Sequence, residues 1–155
     1  MSYALDDQAA GALAARLDVA GQARLGRSLS VFPVHAGDCG GCALEFAMLR
    51  GVACTLTQHG FSIAESPAAA DILLVSGVMT RSLVLPVQLA LAAMAQPRWV
   101  VAIGDCARDG GMFNGGAAVL GGVSTAIPVD LVVPGCPPPP EAILAGLRTI
   151  LAANV

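Results

Sequence analysis

Apolar residues fall along this chain in two alternating kinds of run. One kind is short and nearly continuous: Leu29–Val34, Asp71–Ser76, Arg98–Gly104 and Pro128–Val133. Runs of this length, rich in Val, Ile and Leu and bounded by Gly, Pro or Asp, predict strands buried on both faces, as in a parallel sheet. Pro33 falls within the first, and a proline there is expected at the strand's end or at a bulge. Phe61–Ala64 predicts a further, short strand.

The other kind is longer and has helical spacing. Cys42–His59 predicts one helix with apolar positions Leu44, Met48, Val52 and Leu56, closed by Gly60 as its C-cap. Leu83–Gln96 predicts another, with Pro86 tolerated only in its first turn and Pro97 closing it. Pro140–Ala152 predicts a third, with proline at the start and Glu141 in the first turn. Asp6–Val19 predicts an N-terminal helix, so residues 1–28 are expected to form a helical arm and residues 29–155 one α/β domain. The stretch from Cys106 to Pro128 carries no clear period. Strands alternating with helices imply an open, mostly parallel α/β sheet, because parallel strands need crossover connections.

Composition narrows what such a domain does. The chain has 155 residues, of which 55% are hydrophobic and 12% charged; Lys is absent, and the net charge is −3. The charged share is about half that of ordinary soluble domains. With no basic stripe and few aromatics, nucleic-acid binding is not expected. The longest apolar stretch, Leu83–Ala95, is interrupted by Pro86 and Gln88 and falls short of the ~20 residues that span a bilayer. The N-terminus lacks a basic region followed by an apolar block, so no signal peptide is expected. A cytoplasmic subunit that buries apolar surface against partners fits these features.

Candidate chemistry lies in the cysteines. Cys39 and Cys42 form a Cys-x-x-Cys pair in GDCGGCALE, and Cys106 and Cys136 each follow another predicted strand by a few residues. In open α/β sheets ligands collect at the carboxyl ends of the strands, so one rim can bring the three sites together. Five cysteines without a secretory signal argue against a disulfide framework. Thiolates suit zinc or an iron–sulfur cluster. Structural zinc on four cysteines usually uses two close pairs, and only one is present. A cluster therefore leads, with zinc and a redox-active Cys39–Cys42 dithiol behind it. Cys54, inside the first predicted helix, is expected to be a core residue.

The motifs GDCGGCALE, IGDCARDGGMF and IPVDLVVPGCPPPPEAILAGL together resemble the small, cluster-bearing subunit shared by respiratory complex I and membrane-bound energy-converting [NiFe] hydrogenases. The resemblance runs from about Val31 to Leu147. It implies a flavodoxin-like fold with helices on both faces of the sheet. It also implies one [4Fe-4S] cluster ligated by Cys39, Cys42, Cys106 and Cys136, and it lifts the cluster over zinc. The spacing Cys39-Gly-Gly-Cys42, with Glu45 after it and GGMF after Cys106, is similar to the hydrogenase branch. Complex I members have adjacent cysteines there; Pro139, where the hydrogenase branch commonly has Arg, departs from it.

What the resemblance implies is electron transfer, with no bond-making on this chain. A large catalytic subunit would hold the nickel–iron site, ferredoxin-like iron–sulfur subunits would exchange electrons, and membrane subunits would anchor the complex at the inner membrane. A related quinone-reducing complex without nickel, or a zinc-binding interaction module, are the alternatives. Gly37, Gly40, Gly41, Gly104 and Gly135 would let backbone approach the cluster. Glu45 is a candidate proton relay, or else a first-turn capping or salt-bridging residue. His35 would bond to backbone or tune the cluster, and His59 suits a helix C-terminus. Asp105, Arg108 and Asp109 give the second cysteine site unusual charge.

Overall fold

The computed structural model describes residues 28–51 and 55–153. The N-terminal arm and Cys54 lie outside these residues. Among the described residues, seven strands run in chain order: β1 (Leu29–His35), β2 (Phe61–Ile63), β3 (Ile72–Ser76), β4 (Met79–Thr80), β5 (Trp99–Ile103), β6 (Val119–Gly121) and β7 (Leu131–Val133). The helices are α1 (Gly41–Gly51), α2 (Thr55–Gln58), α3 (Val84–Ala93), α4 (Asp105–Asp109) and α5 (Pro140–Ala152).

Five strands make one sheet in the order β2-β1-β3-β5-β7, and every pair in it is parallel. Counting only these strands, the order is that of the flavodoxin-like doubly wound fold, whose crevice opens where the winding reverses, between β1 and β3. The expected α/β architecture with helices on both faces is present. Side chains alternate along each strand, and they sort into two cores. Ile72, Leu74, Trp99, Val101, Ile103, Leu131 and Val133 pack with Phe46, Leu49, Leu56, Ile143, Leu147 and Ile150 of α1, α2 and α5. Leu73, Val75, Val100 and Ala102 point the other way, onto Val87 and Leu91 of α3, Ala107 of α4 and Val123.

Three expectations need correction. Pro33 lies inside β1, opposite Leu74 of β3. Ser30 faces β3, through its N–H to the Asp71 carboxylate, while Leu29 and Val31 bond towards β2. By that alternation Pro33 also faces β2, whose pairing stops at Val31 and Ile63. The absent N–H therefore costs no ladder bond, and no bulge is required. Second, the helix expected over Cys42–His59 is two helices, α1 and α2. Third, within α1 the apolar period is not the buried face: Phe46 and Leu49 face the sheet, while Leu44 is 70% and Met48 56% exposed; of the expected positions Leu56 of α2 is buried.

In the stretch without a clear period, α4 follows β5 directly. Further on, β6 pairs antiparallel with β4 as a small second sheet. Helix α5 has the expected bounds, with Pro140 opening it and Glu141 in its first turn. Leu147, fully buried between α5 and the sheet, tests the first core. Leu147→Ala should destabilise the chain by about 2–5 kcal/mol, read from denaturant unfolding midpoints; an unchanged midpoint would mean that α5 does not seal that face.

Candidate metal centre

Each cysteine site begins where a parallel strand ends. The loop after β1 carries Cys39 and leads into α1 with Cys42; β5 runs into α4 with Cys106; β7 runs into the loop with Cys136. All three strands point the same way, so all three loops open on the carboxyl rim. The thiols of Cys39, Cys42, Cys106 and Cys136 are free. Cys42 packs against the core under α1, and Ala107, beside Cys106, belongs to the opposite core. The site thus straddles the sheet's edge, resting on both layers.

The sulfurs feel one another. Burial, first, and then Cys106, Cys39, Cys136 and Asp38 push the Cys42 thiol from its ordinary 9.0 up to about 11. The Cys106 thiol is also raised, by burial and by Cys136, Cys39 and Asp105, against a smaller opposing backbone hydrogen bond. A thiol raised by the charge of its neighbours lies close to them. Among the described residues, no group of three or more His, Cys, Asp or Glu is closed into the geometry of a single-ion site.

The backbone leaves the sulfurs room. Gly104 has φ +91, and a Cβ there would lie 2.6 Å from the Cys42 sulfur; any other residue would be strained and would displace that thiol. Gly40 and Gly135 also take positive φ, whereas Gly37 and Gly41 do not. Four soft thiolates at a partly buried rim, with small residues beneath, fit an iron–sulfur cluster: Cys39, Cys42, Cys106 and Cys136 are the residues that would hold it.

Side chains remote in sequence fix these loops. Asp38 Oδ2 accepts the Ser76 hydroxyl at 2.8 Å and lies 3.0 Å from His35 Nδ1. The Gly37 N–H donates to the Val78 carbonyl at 2.8 Å. Gly77, φ +88, lets Asp38 come so close that a Cβ would meet its backbone N at 2.5 Å. On the other side, the Asp105 N–H donates to the Gly135 carbonyl at 2.8 Å, and Asp105 Oδ1 accepts the Gly135 N–H at 3.0 Å. Arg108 pairs with Asp105 at 3.1 Å and with Asp109 at 2.9 Å. His35 therefore bonds to side chains rather than to backbone. Asp38 drew no attention in the sequence, because its partner Ser76 is 38 residues away.

Glu45 is half-buried on α1. Because the helix starts at Gly41, its first turn holds no acidic residue, and the first-turn capping role expected for Glu45 is not available. Among the described residues it forms no ion pair. Around the rim, Leu44, Met48, Met112 and Phe113 stand exposed. An open groove of about 270 Å³ runs beside Cys39, lined by Gly37, Asp38, Val78, Phe113 and Val119.

The family model described as NADH ubiquinone oxidoreductase, 20 Kd subunit, matches residues 39–150, a span that begins at the first of the four cysteines and includes the other three. The chain belongs to this family. An NADH-quinone oxidoreductase subunit of Phocaeicola vulgatus is 39% identical over 124 residues, covering 79% of this chain and 62% of that protein. An NADH-quinone oxidoreductase subunit of Roseiflexus sp. is 40% identical over 123 residues, covering 78% and 72%. The chain thus spans less than two thirds of the first of these relatives. Among solved structures, a chain of the membrane-bound sulfane sulfur reductase, an archaeal respiratory membrane complex, superposes with TM-score 0.73 at 26% identity, covering 86% of this chain and 73% of that one. A chain of an NAD+-reducing [NiFe]-hydrogenase shares the fold, with TM-score 0.65 at 21% identity over 81% of this chain and 92% of that one.

Thiolate, not thiol, is the reactive form of cysteine. In the metal-free chain, Cys42 should therefore alkylate more slowly near neutral pH than exposed Cys39. Its rate should climb as pH rises from 9.0 towards about 11. A thiol raised by folding lends the fold stability that is full below its unfolded value and is lost as pH rises through the folded one. Mass-spectrometric alkylation rates read this directly; Cys39 and Cys42 reacting equally fast at neutral pH would contradict the burial of Cys42.

Proposed function

We propose that this chain is the electron-transfer small subunit of a multisubunit, membrane-associated oxidoreductase of the hydrogenase and complex I kind, with one [4Fe-4S] cluster held by Cys39, Cys42, Cys106 and Cys136. One observation carries the reading: four free cysteines from three strand-end loops open on one rim of a chain of the 20 Kd subunit family. When bound, such a cluster supplies a one-electron carrier. The chain's own part is to hold it, shield it from water on the Cys42 side and present it on the other. Burial, backbone N–H groups and nearby charge then tune its potential.

The partner reading rests on the surface. Leu44, Met48, Met112 and Phe113 are large, apolar and exposed beside the cysteine loops, as at a protein–protein interface. A large catalytic subunit covering residues 35–45 and 104–116 would bury Leu44, Met112 and Phe113 and bring its active site next to the cluster. Ferredoxin-like iron–sulfur subunits would exchange electrons with that centre. Among the described residues no helix is long and apolar enough to cross a membrane, so attachment to the inner membrane from the cytoplasmic side would run through other subunits of the complex. The spacing of Cys39 and Cys42 favours the hydrogenase branch over complex I members, and the metal content of the large subunit separates that branch from a quinone-reducing relative without nickel.

The deciding experiment is to purify the complex without oxygen through a tag on this chain and to measure iron, sulfide, nickel and zinc. Iron and sulfide in equal amounts are expected, with a spin-resonance signal on reduction. Cys39→Ala, Cys42→Ala, Cys106→Ala or Cys136→Ala should each abolish the signal, while Cys54→Ala should keep it. Zinc without sulfide would replace this function with a structural module. Nickel in the complex separates the two branches.

Glu45 is read as a proton carrier beside the centre: it is half-buried, three residues after Cys42, and lies beyond the first turn of α1. Glu45→Gln keeps size and removes the exchangeable acid. Turnover should slow, with a changed pH profile at unchanged iron content. Unchanged rates at matched cluster occupancy would leave Glu45 without a proton role.

A further inference from the structure

Two carboxylates flank the cysteine rim, one on each side, and each fastens a cysteine loop to a neighbouring strand-end loop. Asp38 adjoins Cys39, and its Oδ2 is held by the Ser76 hydroxyl at 2.8 Å and faces His35 Nδ1 at 3.0 Å. Ser76 is buried at the end of β3 and lies 3.0 Å from the same His35 nitrogen. The loop of the first two cysteines is thereby tied to the next strand across the winding reversal. Asp105 adjoins Cys106, and its backbone N–H and Oδ1 bind both sides of the Gly135 peptide, at 2.8 and 3.0 Å. Gly135 in turn precedes Cys136, so this clamp joins the other two cysteine loops.

We propose that Asp38 and Asp105 are positioning residues with a second effect: each clamps a cysteine loop and, by its fixed negative charge, lowers the potential at which a cluster on these thiolates accepts an electron. This rests on the cluster reading above. An added electron is disfavoured by nearby negative charge, more so where burial lowers the effective dielectric constant.

The two sides are not equal. Arg108, 3.1 Å from Asp105, offsets part of that charge and is itself shared with Asp109. Asp38 faces a hydroxyl and an imidazole, so while His35 is neutral neither of these two groups offsets its charge. Asp38 is therefore the stronger of the two in setting the potential.

Asparagine separates the two effects. Its carbonyl can accept the same N–H and O–H donors, so Asp38→Asn and Asp105→Asn keep each clamp and remove the charge; Asp38→Ala and Asp105→Ala remove both. The experiment is a potentiometric titration of the complex purified without oxygen, at a pH above the ordinary histidine range. It follows the spin-resonance signal that Cys42→Ala abolishes, with iron and sulfide measured alongside. Both Asn variants should retain iron and shift the midpoint potential upward, Asp38→Asn further than Asp105→Asn. Arg108→Ala should shift it downward. The Ala variants should lose cluster iron.

Asn variants with full iron and an unmoved potential would overturn the proposal while leaving the cluster in place. Loss of iron in the Asn variants equal to that in the Ala variants would overturn the charge effect and leave only the clamps. A wild-type complex whose chain holds no iron or sulfide would instead sink the cluster reading itself, so the two failures are distinguishable.

Discussion

Four cysteines from three separate loops have to be held on one rim, and the fold is arranged around that constraint. Burial first, and then the neighbouring sulfurs and Asp38, drive the Cys42 thiol up to about 11. Such a gathering needs loops that cannot spread. Parallel strands supply the anchors: β1, β5 and β7 end at the same edge, and each turns into a cysteine loop. A metal centre would put the same closeness to use: positive charge favours thiolate ligands, which give up their protons on binding.

The clamps follow from the same constraint. Backbone at the end of a parallel strand has lost its ladder partner, and its polar groups need others. On this rim those partners lie on neighbouring cysteine-bearing or strand-end loops: Ala36 N–H donates to the Ser76 carbonyl, Gly37 N–H to the Val78 carbonyl, and Asp105 pairs with Gly135. At the opposite edge the same device recurs without cysteines, where the carboxylates of Asp71 and Asp130 accept the N–H groups of Ser30 and Val100. Aspartate is thus the general means by which this sheet finishes its strands, and at the cysteine rim it also brings charge to the centre.

What could be read from the residues was whatever is local in the chain. The continuous apolar runs became β1, β3, β5 and β7, and PPPPEA opened α5 at Pro140 as proline and glutamate at a helix start should. The cysteine rim was legible because the strands are parallel and the cysteines sit just past them. What escaped depends on distant pairing. Strands β4 and β6 are two and three residues long and pair across some forty residues, too short for any period to register. The Asp38–Ser76 bond spans a similar distance. Pro33 read as a break because its tolerance is set by how far β2 extends, a property of another segment.

Helix α1 shows a subtler limit. Its apolar period through Leu44 and Met48 is real, yet the sheet is covered by Phe46 and Leu49. A helix with apolar residues on two sides has two surfaces to cover, and hydropathy alone does not say which belongs to its own core. Here the second side lies directly after Cys42 and continues in exposure with Met112 and Phe113 beyond Cys106. A charge-poor chain that packs both faces of its sheet internally has no inner use for that surplus. Part of it lies beside the thiols, while Leu85 and Leu89 of α3 are exposed away from them; on the proposed function, the part at the rim is the surface that a subunit bringing a donor or acceptor within reach would cover.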